Sequence, residues 1–385
     1  MLLKNKLKVL GNLPTPFYYY DMELLHKTVQ LAKKQADKYG YHIHYAVKAN
    51  FNDTILKTMS GYGLGADCVS GQEVQIAIDN GFKASEVVFA GVGKSDSEII
   101  TALNHDIFMF NCESPQEIEI INELAVQQNK IARIALRINP NVNANTHKHI
   151  TTGLKENKFG IDMWAMDGVL EVIQKCSNIQ LIGLHFHIGS QITDLNSFKE
   201  LCTRVNTIQD WFISRHVEIK ILNMGGGLGI NYHDPENHPI ADFEEYFHIF
   251  NQFLDIKPNQ EVHFELGRSI IAQCGSLISK VLYIKNGIET NFAILDAGMT
   301  ELIRPMLYQA HHHIVNLSSE ESEIVKYDIV GPICESTDCF VKGLEIPKTK
   351  RGDVFQIFSA GAYGEVMASN YNLKTLHPPV FSDKI

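Results

Sequence analysis

Short apolar runs alternate along the chain with longer amphipathic ones. The short runs are Ile43–Val47, Leu64–Asp67, Val87–Ala90, Ile107–Phe110, Ile134–Ile138, Leu181–His187, Ile219–Asn223 and Val262–Glu265. Their length and their β-branched and aromatic content predict strands. Between them the apolar residues take a helical spacing, which predicts helices over Thr54–Met59, Gln72–Ile78, Ser97–Leu103, Pro115–Val126, Met166–Gln174, Phe198–Phe212 and Phe243–Leu254. Ser114-Pro115 with Glu117 in the first turn, and Asp53 before Thr54, supply helix-start chemistry. Strands alternating with helices imply βαβ units and a parallel sheet. Eight such units predict an α/β fold of the closed (β/α)8, TIM-like barrel type, with a doubly wound open sheet as the competing arrangement.

The texture changes near residue 270. Leu277–Ile284, Phe292–Leu295, Tyr327–Val330 and Val354–Phe358 read as strands joined by loops. The segment Thr15–Tyr20 is also strand-like and precedes the first barrel helix. The expected organisation is a barrel over residues 24–270. A β domain, a small barrel or sandwich, takes in residues 1–23 and 271–385 and is completed by the N-terminal strand.

Composition narrows the function classes. The chain has 385 residues, 34 Lys and Arg against 44 Asp and Glu, and a net charge of -10. It carries no basic run, which argues against nucleic acid as a partner. No stretch approaches the roughly 20 apolar residues of a membrane span. Residues Met1–Pro14 contain no run that reads as a signal peptide, so a cytoplasmic enzyme is expected. The seven cysteines form no C-x-x-C pair, which points to neither a disulfide framework nor a zinc knuckle. Six of them read as small apolar residues in or near the core.

The unusual polar residues gather at the C-terminal ends of the predicted strands, where (β/α)8 barrels build their sites. Lys48 ends the first strand, Asp67 the second, His187 the sixth, and Glu265, Gly267 and Arg268 the eighth. Lys48 reads either as a strand-end lysine reaching solvent or as a Schiff-base lysine. Gly225-Gly226-Gly227-Leu228-Gly229 is not a dinucleotide fingerprint, since position 230 is Ile. It reads as a backbone cradle for phosphate or as a tight turn. His185 and His187 share one parity, but no third ligand has a fitting local spacing. No metal ligands are assigned, and His311, His312 and His313 are given no role.

Six segments, YAVKAN, HFHIGSQ, NMGGGLG, ELGRS, GPICES and GAYGE, stand in an order and spacing that resembles the fold-type III pyridoxal-phosphate decarboxylases. That group includes ornithine, arginine, carboxynorspermidine and diaminopimelate decarboxylases. The resemblance runs from Thr15 to about Asn372. It implies pyridoxal 5'-phosphate as cofactor, linked to Lys48, with Asp67 nearby and His187 stacked on the ring. Ser190, Gly227, the Glu265-Leu266-Gly267-Arg268 turn and Tyr363 then match phosphate-binding positions. Glu265 matches the carboxylate that pairs with the ring nitrogen. A carboxylate there favours the protonated ring and hence loss of CO2, where the related racemases carry an arginine.

The resemblance also implies that Cys334 protonates the carbon left by CO2, in a loop contributed by the partner subunit, so that a homodimer shares its sites. Arg268, Arg304, Tyr308, Glu335 and Tyr363 fall at substrate-binding positions. Arg304 matches a carboxylate-binding arginine and Glu335 a group that takes the far ammonium. A far carboxylate is what separates meso-diaminopimelate from ornithine, and a buried guanidinium would be left unpaired by the latter. The expected reaction is therefore decarboxylation of meso-diaminopimelate to lysine. Carboxynorspermidine or arginine decarboxylation, or a non-catalytic cofactor-binding homologue, are the alternatives.

Overall fold

The computed structural model describes residue 3 and residues 10–142 and 158–385; most of the N-terminal stretch read for a signal peptide lies outside them. The described chain starts with β1 (Phe17–Tyr20) and α1 (Met22–Asp37). Then β2 (His42–Ala46), β3 (Gly65–Cys68), β4 (Val87–Phe89), β5 (Met109–Cys112), β6 (Ala132–Arg137), β7 (Ile179–His185), β8 (Ile221–Asn223) and β9 (Glu261–Leu266) form a closed parallel barrel in chain order. Closure comes from β9 pairing with β2, with Ile43 opposite Phe264 and His44 opposite Glu265. The open sheet is thereby excluded. The helices between the strands are α2 (Asp53–Gly61), α3 (Gly71–Asp79), α4 (Asp96–His105), α5 (Pro115–Gln127), α6 (Met166–Lys175), α7 (Asn196–Ile213) and α8 (Phe243–Phe253).

Local chemistry sets the helix starts. Ser114 accepts from the Glu117 amide at 3.2 Å, with Pro115 in the first turn. At α2 the cap is Asn52, which accepts from the Thr54 amide at 3.0 Å, while Asp53 is the first helical residue. Along β9 the side chains alternate. Phe264 faces the helices, where it meets Tyr246, Phe247 and Phe250 at ring-centroid distances of 5.6, 5.0 and 4.8 Å. Its neighbours His263 and Glu265 therefore point into the barrel.

The chain forms two compact units. One comprises Val29–Gly229 and Asp242–Ile270 and contains the barrel; the other comprises Met1–Thr28, Ile230–Ala241 and Ile271–Ile385. The second unit holds an eight-stranded sheet. Its strands besides β1 are β10 (Gly275–Asn286), β11 (Asn291–Leu295), β12 (Ile314–Asn316), β13 (Ile324–Val330), β14 (Cys339–Pro347), β15 (Val354–Ile357) and β16 (Val380–Phe381). The N-terminal strand does join the C-terminal ones, antiparallel to β10 and parallel to β16. Three strands, β12, β14 and β16, are additional to the sequence reading; two of them span three residues or fewer, too short for periodicity to register. Among the described residues, no helix is long and apolar enough to cross a membrane.

Candidate active site

Lys48 does not end a strand. β2 stops at Ala46, and Lys48 occupies a single 3-10 turn, Val47–Ala49. That turn directs its Nζ to Asp67 Oδ2 at 2.6 Å, with 38% of the lysine side chain exposed and the aspartate fully buried. Burial first, then the Glu265 charge, pushes the Asp67 carboxyl up to about 6, against the pull of Lys48.

Glu265 lies inside the barrel mouth and is held at both oxygens. Oε1 accepts from Asn111 Nδ2 at 2.9 Å and Asn223 Nδ2 at 2.7 Å; Oε2 is 3.1 Å from His185 Nε2. The Asn223 orientation is set in turn, because its Oδ1 accepts from the Gly225 amide at 2.9 Å. Burial opposes the charge on Glu265, but His185 and the Lys48 ammonium hold its carboxyl well below the usual range. It is therefore a preorganised, buried anion.

His187 lies two residues beyond the end of β7 rather than ending it. Its Nδ1 accepts from the Gly226 amide at 3.3 Å, and desolvation, followed by the Arg137 and Lys48 charges, pushes it down to about 3, so the ring is neutral. The glycine run crosses backbone closely. Gly225 (φ 67°) and Gly227 (φ 107°) adopt left-handed conformations, and a Cβ at Gly226 would collide with the Glu265 carbonyl oxygen. Nearby, the buried Arg268 donates from Nε and Nη2 to Ser190 Oγ at 3.3 and 3.0 Å. Gly267, also buried, opens the turn that carries Arg268, its carbonyl accepting from the Ile270 amide at 3.0 Å.

In the second unit, Arg304 is buried and donates to the Tyr232 hydroxyl at 2.8 Å. Tyr308, on the same short helix, is half-buried. Cys334 and Glu335 are exposed on a loop whose base is stapled by the buried Asp338. The Asp338 carboxylate accepts from the Met299 amide at 2.7 Å and the Ile333 amide at 2.8 Å. Tyr371 donates to Glu335 at 3.1 Å. Tyr363 is half-buried with φ 55°, a strained backbone for a bulky residue.

The structure thus brings Lys48, Asp67, His187, Ser190, Gly227, Glu265, Gly267 and Arg268 to one end of the barrel. Sequence reasoning passed over Asn111, Asn223 and Asp338, and gave His185 no part in the site. For Asn111, His185 and Asn223 the one visible signal was a polar residue at an inward position near the end of an apolar strand. The donor set fits a flat heteroaromatic ring bearing an aldehyde and a phosphate: an amine, a carboxylate for a ring nitrogen, and a glycine loop beside an arginine. Among the described residues, Asp67 Oδ1, Asn111 Oδ1 and His185 Nδ1 are buried without a hydrogen-bond partner.

Residues 23–272 match the family described as pyridoxal-dependent decarboxylase, pyridoxal binding domain. The chain is 54% identical to a diaminopimelate decarboxylase of Bacteroides thetaiotaomicron over 97% of each chain. Its fold is similar to the crystal structure of diaminopimelate decarboxylase from Helicobacter pylori complexed with L-lysine, with a TM-score of 0.91 and 38% identity, covering 98% of this chain and 94% of that one. A diaminopimelate decarboxylase structure from M. jannaschii superposes with a TM-score of 0.89 at 34% identity, over 97% and 88% of the two chains.

Proposed function

The chain belongs to the pyridoxal-dependent decarboxylases, and from that membership we propose that it converts meso-diaminopimelate to L-lysine and CO2. Pyridoxal phosphate, when bound, supplies a protonated pyridine ring that accepts the electron pair released as CO2 departs. The observation that carries the reaction type is the anchored anion of Glu265, which favours a protonated ring nitrogen.

The chain's own residues do the rest. Lys48 would hold the cofactor through its aldehyde, its Nζ already placed 2.6 Å from Asp67 Oδ2. Asp67, buried 2.6 Å from the lysine nitrogen, orients the amine. The neutral His187 ring offers a flat face to the pyridine without adding charge. Ser190, Gly227, Gly267, Arg268 and Tyr363 hold the phosphate end; the amides of the glycine run and the Arg268 guanidinium suit a dianion. Cys334 delivers the proton to the carbon that has lost CO2. Arg304 takes the far carboxylate of the substrate and Glu335 the far ammonium, with Arg268, Tyr308 and Tyr363 completing the pocket.

We assign Cys334 and Glu335 to the site of a partner copy. Their exposure on a loop anchored by Asp338 supports this reading, since an acid that serves the reaction must be desolvated beside it. The active form is then a homodimer working in the cytoplasm, with no nucleic acid involved. The domain division we favour remains a barrel over residues 24–270, with residues 1–23 and 271–385 forming the β domain.

The test is product analysis by mass spectrometry. The cofactor-loaded protein is offered meso-diaminopimelate, ornithine, arginine and carboxynorspermidine separately, and lysine from the first alone is the expected result. Product only from another substrate would overturn the assignment of Arg304 and Glu335. No product from a folded, loaded dimer would overturn the catalytic reading. Replacing Arg304 with Ala is expected to lower kcat/KM for diaminopimelate by about 3 kcal/mol, roughly 100-fold, as for loss of one partner of a buried charge pair.

A further inference from the structure

The barrel interior carries a second set of converging donors at the end opposite Lys48. Alternation along β9 puts Glu261 and His263 on the same inward face as Glu265. His42 stands directly opposite His263 across the strand pair, two residues before His44. His263 is buried, while His42 and Glu261 are 53% and 57% exposed at the N-terminal mouth. His263 Nε2 is 3.3 Å from Glu261 Oε2, and His42 Nε2 is 3.8 Å from the same oxygen. All three donor atoms lie within 4.8 Å of one another. They line a cavity of about 500 Å3, together with Lys33, Gly63, Ser85 and Phe108.

The hydrogen-bond network dictates which nitrogen of His263 carries its proton. His44 Nδ1 is 3.0 Å from the Glu86 carbonyl oxygen, which can only accept, so Nδ1 donates. In a neutral ring the other nitrogen, Nε2, is then an acceptor. His263 Nδ1, 2.8 Å away, must then donate to it. Gly65 makes this relay possible, since a Cβ there would collide with both His44 Nδ1 and the Glu86 carbonyl. In neutral His263 the remaining nitrogen, Nε2, presents a lone pair to the Glu261 carboxylate. Two acceptors facing each other at 3.3 Å, with a third imidazole nitrogen alongside, lack a cation.

We propose that His42, Glu261 and His263 bind a divalent cation of the zinc class at the N-terminal mouth of the barrel. Two donors each about 2.0 Å from a tetrahedral ion stand about 3.3 Å apart, the separation His263 and Glu261 already have. His42, 3.8 Å from the same oxygen, must draw closer to complete the set, and its exposure permits that movement. The relay from the Glu86 carbonyl through His44 fixes the tautomer and ring orientation of His263, as outer-shell partners do in metal sites. Three protein ligands leave the fourth position open to the cavity, where a water or an anionic small molecule can complete the shell.

The test uses the cofactor-loaded full chain, freed of metal with a chelator and titrated with zinc chloride by calorimetry. About one zinc per chain is expected. His42→Ala and Glu261→Gln, both at exposed positions, should each weaken binding by more than about 100-fold, and His44→Gln by about 10–100-fold. Cobalt should give the intense visible bands of a tetrahedral site in the parent and not in His42→Ala. Cys334→Ser should retain full affinity. No zinc uptake by the parent protein would overturn the proposal and leave His263 as an imidazolium paired with Glu261. Undiminished uptake in both His42→Ala and Glu261→Gln would overturn it by placing the metal elsewhere.

Discussion

At the C-terminal end of the barrel Glu265 is enclosed, both oxygens taken by Asn111, Asn223 and His185. At the N-terminal end Glu261, four residues earlier on the same strand and the same face, is more than half exposed beside His42 and His263. The two carboxylates are about 13 Å apart along the strand. One is a rigid anion whose donors leave it a single orientation. The other is a movable carboxylate next to one fixed imidazole. A carboxylate's chemistry thus follows from what closes around it: fixed amide donors hold Glu265 in one orientation, whereas exposure leaves Glu261 free to move.

Substitutions can break this contrast. The largest effect is expected from Lys48→Ala, which removes the amine at the upper end and should reduce turnover to background in a steady-state assay; normal turnover would end the catalytic reading. Next, Glu265→Gln should cut kcat by about 10²–10³-fold, the scale for losing one preorganised electrostatic group, with little change in KM. A comparable rise in KM would instead mark Glu265 as a substrate contact.

A third test concerns pH. The Asp67 carboxyl is raised from 3.8 to about 6 by burial and by Glu265, a shift worth about 3 kcal/mol. The folded cofactor-free protein holds this proton more tightly than the unfolded chain does. The associated stability is therefore complete below pH 3.8 and is lost as pH rises through about 6. Thermal unfolding between those limits should show the decline in the parent and a flatter profile in Asp67→Asn. The smallest effect is expected at the lower end. Gly65→Ala crowds the His44 relay and should cost about 1–3 kcal/mol of stability, read as a lower Tm.

Much of the barrel was legible in the sequence. All eight strands and the seven helices between them fall where hydrophobic spacing placed them, within a few residues. The motif residues at the upper end were legible too, because several lie in short segments whose order is itself informative. The turn that carries Lys48 was not, since a single 3-10 turn has no periodicity of its own. Asn111 and Asn223 were missed because each is one polar residue in an apolar run, and only closure of the sheet brings them to the same carboxylate oxygen. Asp338 was missed for a related reason: its partners include Met299, 39 residues away.

His42, His44, Glu261 and His263 show most clearly where local reading stops. Each strand displays its alternation openly, His-Ile-His and Glu-Val-His-Phe-Glu, yet they were read as apolar strands. By itself the sequence determined the elements, their order and the residues at their ends, because periodicity and capping act over a few neighbouring residues. The tertiary structure alone decided that β2 meets β9, which imidazole faces which carboxylate, and which carboxylate is buried. Those outcomes depend on register and desolvation between strands more than 200 residues apart, and no local pattern encodes either.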